Sequence, residues 1–83
     1  MLAAFQIIER KDVIPYLDAR GLTKQYKKAK KILTSGDTYR VQFKERQPHG
    51  AGVWSFRINK QFRAIGFFRE DRKFVVTEID NHQ

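Results

Sequence analysis

The chain has 83 residues, of which 41% are hydrophobic and eleven are aromatic. This length and composition predict one folded domain over residues 1–83 rather than a disordered segment. The absence of cysteine excludes disulfides and cysteine-ligated zinc, and with two histidines we predict neither a metal site nor a cofactor. No apolar run approaches the ~20 residues of a membrane span, so we expect a cytoplasmic protein with no membrane partner.

The charge balance is strongly basic. Seventeen Lys and Arg residues against nine Asp and Glu residues give a net charge of +8. For a domain of this size, that excess predicts a polyanionic partner, most simply a nucleic acid. An acidic protein partner, or a surface charge that serves only solubility, is the alternative.

The N-terminal half is predicted to contain a helical hairpin. Residues 3–9 fit either a first strand or the start of a helix. Asp12 is a candidate N-cap for a short helix that stops at Gly21. The next segment carries one apolar stripe at helical spacing, made of Leu22, Tyr26, Ala29, Ile32 and Leu33. Turn residues at 34–37 end this second helix.

A second side of the same helix is basic, with lysines at 24, 27, 28 and 31. Such a row could follow a phosphate backbone. A solvated helix face has the same composition, and we favour that interpretation from the sequence.

After Gly36 the hydrophobic period changes from helical spacing to alternation. Tyr39, Val41 and Phe43 alternate with polar and basic residues, which predicts a half-buried strand with a basic outer face. Further strands are predicted over residues 53–58, 62–68 and 74–79, the last two apolar on both faces as central strands often are. The predicted fold class is α+β, with the helical hairpin packed on one face of a small, mainly antiparallel twisted sheet.

The hairpin of residues 53–69 is the most informative segment, because it sets three arginines among apolar and aromatic residues. Arg57 and Arg63 flank the turn, and if its residues are Asn59, Lys60 and Gln61 the two arginines lie close to opposite each other on one face. Like charges placed this way are destabilising unless an anion or acidic groups neutralise them. We favour an anion, since guanidinium groups match phosphate oxygens in two-pronged fashion. The alternative is internal pairing with Glu45, Glu78 or Asp80.

Two further groups could carry chemistry. Lys44, Glu45 and Arg46 lie at a strand end before the loop that contains His49, where functional side chains are common, although an ordinary charged sheet edge has the same composition. The chain ends in Asn81, His82 and Gln83. A terminal histidine is, by itself, more often a frayed surface residue than a catalytic one.

Taken in order, these features resemble the RelE/ParE superfamily of bacterial toxins over nearly the whole chain. The resemblance rests on two helices, a basic strand, the segment Trp54–Arg63 and a last strand closing on His82. Within the superfamily the pattern is most similar to the RelE and YoeB type. That type implies a small basic toxin, silenced by a cognate antitoxin, that enters the ribosomal A site and cuts mRNA there.

The resemblance also implies roles for individual residues. The ribose 2′-hydroxyl would attack the neighbouring phosphate without a metal ion, leaving a 2′,3′-cyclic phosphate. Arg63 matches the arginine that stabilises the phosphate, His82 the general acid, and Glu45 the general-base carboxylate. The positions expected to bind RNA or phosphate are Arg57, Lys44, Arg46, Arg69 and Gln83.

One residue departs from the family pattern. YoeB-like chains end in histidine followed by tyrosine, whereas this chain ends in Gln83. Its amide can hydrogen-bond but cannot stack on a base or act as a phenolic acid. The terminal carboxylate on Gln83 adds negative charge beside His82, which favours a protonated imidazole but repels RNA. Reduced or altered activity is therefore one expectation.

Two other functions are compatible with the sequence. The first is a ParE-type toxin that poisons DNA gyrase without cutting RNA, although that activity needs neither a general acid nor paired arginines. The second is a basic nucleic-acid-binding module without toxicity, for which binding would depend steeply on salt.

Overall fold

The structure is a computed structural model that describes residues 5–81. Its elements are β1 (Gln6–Glu9), α1 (Val13–Ala19), α2 (Thr23–Thr34), β2 (Lys44–Glu45), β3 (Trp54–Arg57), β4 (Phe62–Phe68) and β5 (Lys73–Asn81). The strands form one five-stranded sheet in the order β1-β5-β4-β3-β2. β1 is parallel to β5, and every other neighbouring pair is antiparallel. The predicted α+β class and the mainly antiparallel sheet are confirmed.

The first segment is a strand rather than a helix. Gln6 pairs with Lys73, and Glu9 pairs with Val76. Residues 3–4, which the prediction included, lie outside the described residues. A parallel pair needs a crossover connection, and α1 and α2 supply it between the first strand and the rest of the sheet.

The helical hairpin forms as predicted. Gly21 has a φ of 67°, in the left-handed region that favours glycine, and it ends the first helix and starts the turn. Leu22 N donates to the carbonyl of Leu17 at 2.9 Å, which closes that turn. Asp12 does occupy the N-cap position of α1, but its side chain makes no capping hydrogen bond.

The apolar stripe of α2 packs on one face of the sheet. Tyr26, Ala29 and Leu33 are buried, and their cluster includes Phe56 and Phe74 from the strands. This burial is the main stabilising contribution to the fold, because each large side chain removed from water contributes about 1.5–3 kcal/mol. The helix covers one sheet face, and the other face stays open for other side chains.

A polar contact fixes α2 against β1. The hydroxyl of Tyr26 donates to Glu9 at 2.6 Å, and the ammonium of Lys30 lies 2.8 Å from the same carboxylate oxygen. Burial, together with the hydrogen bond to Glu9 and its negative charge, raises the pKa of Tyr26 far above its ordinary value of 10.0. The phenol therefore stays protonated at neutral pH and donates the hydrogen bond that connects α2 to β1.

A bulge interrupts the β4–β5 ladder. The register shifts between Ile65 and Gly66, so that Thr77 is the extra residue, and its hydroxyl donates to the Ile65 carbonyl at 3.2 Å. A Cβ atom at Gly66 would collide with the carbonyl of Val75. Glycine is required at this position because the two backbones approach too closely for any side chain.

The predicted strand through Tyr39, Val41 and Phe43 is wrong for most of its length. Residues 37–42 form turns, and the strand that follows them contains only Lys44 and Glu45. The alternating pattern is present, but Gly36 and Gln42 adopt φ values of 98° and 51°, which break an extended chain. We call residues 37–42 the Tyr39 turn.

The two strands predicted as central do lie inside the sheet. β4 and β5 each have neighbours on both sides. Ile65 and Val75 are buried, yet neither belongs to the cluster beneath the helices, which places them on the opposite face. Within residues 5–81, neither helix combines the length and the apolar character needed to traverse a membrane.

Candidate functional site

The face opposite the helices carries the arginine pair. Arg57 on β3 is the direct cross-strand partner of Arg63 on β4, as predicted. Ser55, two residues before Arg57, lies opposite both Lys44 and Ile65. Because side chains alternate along a strand, these polar residues share a face that the aromatic core does not use.

A side-chain-stabilised turn holds the two arginines in register. The Asn59 side-chain oxygen accepts hydrogen bonds from the backbone N–H groups of Gln61 and Phe62 at 2.8 and 2.9 Å. The Asn59 amide nitrogen donates to the Gln25 side chain on α2 at 2.6 Å. The hairpin end is thereby fixed to the helix, and an asparagine that supports both a turn and a neighbour is well suited to that position.

Arg63 lines a cavity of about 450 Å³ near the edge of the sheet that β2 forms. We call it the Arg63 cavity. It gathers one carboxylate, one imidazole and three cationic side chains, and its lining residues are Lys44, Glu45, Arg46, Gln47, His49, Ser55 and Arg63. The strand end and the hairpin that the sequence singled out separately therefore meet at one place.

Glu45 is held by the loop that follows it. Its Oε2 atom accepts hydrogen bonds from the backbone N–H groups of Gly50 and Gly52, at 2.8 and 3.2 Å. Both glycines have positive φ values, 95° and 78°, which the loop needs in order to fold back on the carboxylate. Among residues 5–81, its Oε1 atom has no hydrogen-bond partner. One oxygen thus orients the carboxylate, and within the described residues the other accepts no hydrogen bond from the protein.

Arg63 is oriented by Gln42, a residue that the sequence interpretation treated only as a polar strand position. The guanidinium donates to the Gln42 side-chain oxygen at 3.2 Å. Gln42 belongs to the Tyr39 turn and holds a left-handed backbone conformation, which is uncommon outside glycine, asparagine and aspartate. No periodic signal in the sequence could have revealed this contact, because it depends on the turn.

The alternative, internal pairing of the two arginines with Glu45, Glu78 or Asp80, is not found as a salt bridge among residues 5–81. Asp80 lies opposite Arg63 in the ladder, but its carboxylate pairs with Arg46 at 3.6 Å. Among residues 5–81, neither Arg57 nor Arg63 forms a salt bridge with a carboxylate. Both guanidinium groups are therefore available to pair with an external anion.

Arg57 reaches a different cavity from Arg63. Its Nε atom donates to the Asn59 carbonyl at 3.1 Å. It lines a groove of about 650 Å³ between α2 and the β3–β4 turn, which we call the α2 groove. The two arginines are thus neighbours in the ladder, but each serves its own concave surface.

Arg69 is not brought to either surface. Its guanidinium pairs with Asp71 at 2.7 Å in the turn between β4 and β5. Six residues of extended chain separate it from Arg63, which corresponds to about 20 Å. Its predicted contact with RNA receives no support from this placement.

The two remaining predicted residues, His82 and Gln83, lie outside the described residues. β5 extends to Asn81, which pairs with Phe62, the neighbour of Arg63. His49 is the imidazole that the structure does place in the Arg63 cavity. Its position in a loop after a strand end was the available signal. Among residues 5–81, no group of three or more His, Asp or Glu side chains is arranged to hold a metal ion.

This architecture, with its open basic face, defines a protein with the RelE/YoeB-type toxin fold. Similar solved structures include a YoeB dimer from Staphylococcus aureus, at 15% identity and a TM-score of 0.68 over 98% of this chain and 100% of that one. A YoeB–YefM complex from Staphylococcus aureus is 14% identical, with a TM-score of 0.66 over the same shares. A YoeB/ParE toxin from Agrobacterium tumefaciens is 13% identical, with a TM-score of 0.63 over 95% of this chain and 100% of that one.

No protein-family model and no curated protein sequence matches the chain. At these identities the likeness to solved structures establishes the fold. The predicted resemblance to RelE- and YoeB-type toxins is confirmed at that level.

Proposed function

We propose that the chain is the toxin of a toxin–antitoxin pair and acts as a ribosome-dependent mRNA endoribonuclease in the cytoplasm. The observation that carries the proposal is the Arg63 cavity, where Glu45, held by the loop through one carboxylate oxygen, shares the lining with Lys44, Arg46 and Arg63. A site with a fixed carboxylate and several cations suits a reaction in which a proton leaves and charge accumulates on phosphate.

The proposed reaction is an internal transfer within RNA, without a metal ion. Glu45 takes the proton of the ribose 2′-hydroxyl, and that oxygen attacks the adjacent phosphorus. The bond from phosphorus to the 5′-oxygen of the next nucleotide breaks, and His82 donates a proton to the leaving oxygen. The products are a 2′,3′-cyclic phosphate and a 5′-hydroxyl, with every proton accounted for.

Arg63 is assigned the largest share of charge stabilisation. Its guanidinium faces the cavity, is held by Gln42, and carries no salt bridge within the described part of the chain. Lys44 and Arg46 are assigned contacts with neighbouring phosphates. Gln83 follows His82 and is proposed to hydrogen-bond RNA. Arg57, the cross-strand partner of Arg63, lines the neighbouring α2 groove and is proposed to contact RNA phosphate from there.

Two partners follow from the proposal. The substrate is mRNA presented in the ribosomal A site, and a cognate antitoxin is expected to cover the basic face. The expectation of a protein partner is supported by the YoeB–YefM complex from Staphylococcus aureus, since the similarity to that structure covers 98% of the present chain.

The test uses programmed ribosomes, purified full-length chain and mapping of the mRNA 5′ ends. We expect codon-phased cuts ending in a 2′,3′-cyclic phosphate, and a loss of about 100-fold or more in Arg63→Ala, as for removal of one charge-stabilising donor. Arg69→Ala is the matched control, because it removes the same side chain from the other end of the same strand, and it should cleave like the parent.

Two results would overturn the proposal. The first is parental cleavage by both Arg63→Ala and His82→Ala. The second is inhibition of gyrase supercoiling without mRNA cleavage, which would favour the alternative of a ParE-type toxin. His49→Ala should be measured in parallel, since a larger loss there than in His82→Ala would move the general acid to the loop imidazole.

A further inference from the structure

Three concave surfaces share lining residues in sequence, beginning at α2 and ending at the Arg63 cavity. The α2 groove shares Arg40 with a cavity of about 580 Å³ beside the Tyr39 turn. That turn cavity shares Lys44 with the Arg63 cavity. A chain lying along these surfaces would pass from α2, over the Tyr39 turn, to Glu45 and Arg63.

The charged residues that line the α2 groove are all basic. They are Lys28, Arg40, Arg57 and Lys60, and among residues 5–81 no carboxylate lines it. Within these residues the one salt bridge to a groove cation is that of Asp37, whose Oδ2 lies 3.8 Å from the Arg40 Nε atom, while its Oδ1 accepts the Arg40 backbone N–H. Four cations with one weak internal partner favour a polyanion in the groove.

Lys28 also differs from the other lysines of its helix. The sequence favoured a solvated face for positions 24, 27, 28 and 31, and Lys28 is the member of that row that lines the α2 groove. Lys27, beside it in sequence, is exposed but does not line the groove. Of the four lysines on this helix face, Lys28 lines the groove, and the other three are exposed to solvent without lining it.

Tyr39 lines the middle one of the three surfaces, the cavity that shares residues with both of the others. Its side chain is 91% exposed, the most exposed large hydrophobic side chain among residues 5–81. The turn beneath it is well ordered by backbone hydrogen bonds, from Gln42 N to the Tyr39 carbonyl at 3.1 Å and from Phe43 N to the Thr38 carbonyl at 2.9 Å. An aromatic ring presented on a fixed turn and buried against nothing contributes little to folding.

We infer that the Tyr39 turn and the α2 groove form a binding track for single-stranded RNA, separate from the Arg63 cavity. Tyr39 stacks on one base, and Lys28, Arg40, Arg57 and Lys60 contact the phosphates of the nucleotides beside it. Cationic grooves with an exposed aromatic ring are the usual means of binding a single strand. An acidic peptide would use the cations, but it has no planar base to place on the tyrosine ring.

The inference rests on the proposed function in one respect, namely that RNA is the polyanion. It adds a site for nucleotides that flank the cut phosphate. The track would hold the RNA in one register relative to Glu45 and Arg63, because the cavity beside the Tyr39 turn adjoins the Arg63 cavity at Lys44.

The test measures binding without cleavage. A fluorescein-labelled, fully 2′-O-methylated RNA oligonucleotide of twelve mixed nucleotides cannot undergo 2′-hydroxyl attack, and its binding to full-length protein is followed by anisotropy. We expect Tyr39→Ala to weaken binding by about 5- to 100-fold, which corresponds to one stacked base, and Tyr39→Phe to bind like the parent. Phe67→Ala, which removes another exposed ring from a remote strand, is the control.

The charge contacts are tested by salt titration of the same oligonucleotide. Lys28→Gln should lower the slope of log K against log salt by about 0.7, the contribution of one phosphate contact on a single strand. Lys27→Gln makes the same charge change one residue away and should leave the slope nearer to that of the parent.

Parental binding by both Tyr39→Ala and Lys28→Gln would overturn the inference. So would weakened binding of a polyglutamate peptide in these variants with unchanged RNA binding, because the track would then serve an acidic protein partner. The two proposals can fail separately. If the chain binds the methylated RNA through Tyr39 but does not cut mRNA, the binding track is supported and the proposed endoribonuclease activity is wrong.

Discussion

The two faces of the sheet use the same strands for opposite purposes. On the helix-covered face, Phe56, Ala64 and Phe74 are fully buried in one cluster. On the other face, Arg57 and Arg63 alternate with those apolar residues and open into cavities. Because a strand alternates its side chains, folding and chemistry can be placed on one segment without competing for the same positions.

Substitutions on the two faces should therefore affect different properties of the protein. Changes on the helix-covered face should alter the free energy of unfolding, whereas changes on the open face should alter activity and leave stability nearly unchanged. The Arg63→Ala and Arg69→Ala pair tests the open face directly.

Truncation at the centre of the helix-covered face should have the largest effect on stability. Phe56→Ala should lower the free energy of unfolding by about 3–5 kcal/mol, since it leaves a cavity beneath α2. Urea denaturation followed by circular dichroism measures this change. Tyr39→Ala removes an aromatic ring of similar size from full exposure and should change stability by no more than about 0.5 kcal/mol. Equal losses in the two variants would contradict the division between the faces.

The bulge between β4 and β5 should tolerate no side chain at its glycine. Gly66→Ala places a methyl group against the Val75 carbonyl, so the backbones must move apart. We expect a loss of about 1–3 kcal/mol, the usual cost of overpacking. The same denaturation experiment applies. Parental stability in Gly66→Ala would mean that the two strands are not as close as described.

Tyr26 should make stability depend on alkaline pH. Its pKa in the folded state lies above the unfolded value of 10.0, so its contribution is complete below pH 10.0 and is lost as pH rises towards the folded value. At neutral pH, Tyr26→Phe should lose about 1–2 kcal/mol with the hydrogen bond to Glu9. Unfolding curves of both proteins from pH 7 to about 11 should show that difference shrinking above the unfolded pKa. A constant difference would contradict the assigned role.

Gln42 should separate stability from activity most sharply. Gln42→Gly removes the side chain that holds Arg63 and relieves a left-handed backbone, so stability should change by no more than about 0.5 kcal/mol. Cleavage on ribosomes should fall by roughly 10-fold, the equivalent of one hydrogen bond to a charged group. Gln42→Asn keeps a residue that tolerates the backbone and serves as the comparison. Parental cleavage by Gln42→Gly would show that the contact does not position Arg63.

Much of the fold could be predicted from local patterns. The stripe containing Tyr26 and Leu33 predicted α2, and the alternation around Trp54 and Phe62 predicted the central strands. The failure at residues 37–42 has a physical cause, since alternation describes only side-chain order. Left-handed backbone at Gly36 and Gln42 overrides it.

The candidate site was predictable residue by residue but not as an arrangement. Side-chain chemistry and turn position pointed to Arg63 and Glu45, and the structure places both in one cavity. It assigns Arg57 to a separate groove and leaves Arg69 with Asp71. The roles of Gln42 and Tyr39 depend on a turn that the sequence pattern presents as a strand.

Composition, periodicity and turn residues are local properties, so the fold class, the basic charge and the position of Arg57 and Arg63 on either side of one turn could be predicted from the sequence. Which cations share a surface is visible only in the folded chain. That depends on contacts between segments far apart in the chain, such as Gln42 with Arg63 and Asn59 with Gln25. The folded chain also has a turn at Tyr39 where the sequence predicted a strand. The cavity beside this turn shares Arg40 with the α2 groove and Lys44 with the Arg63 cavity.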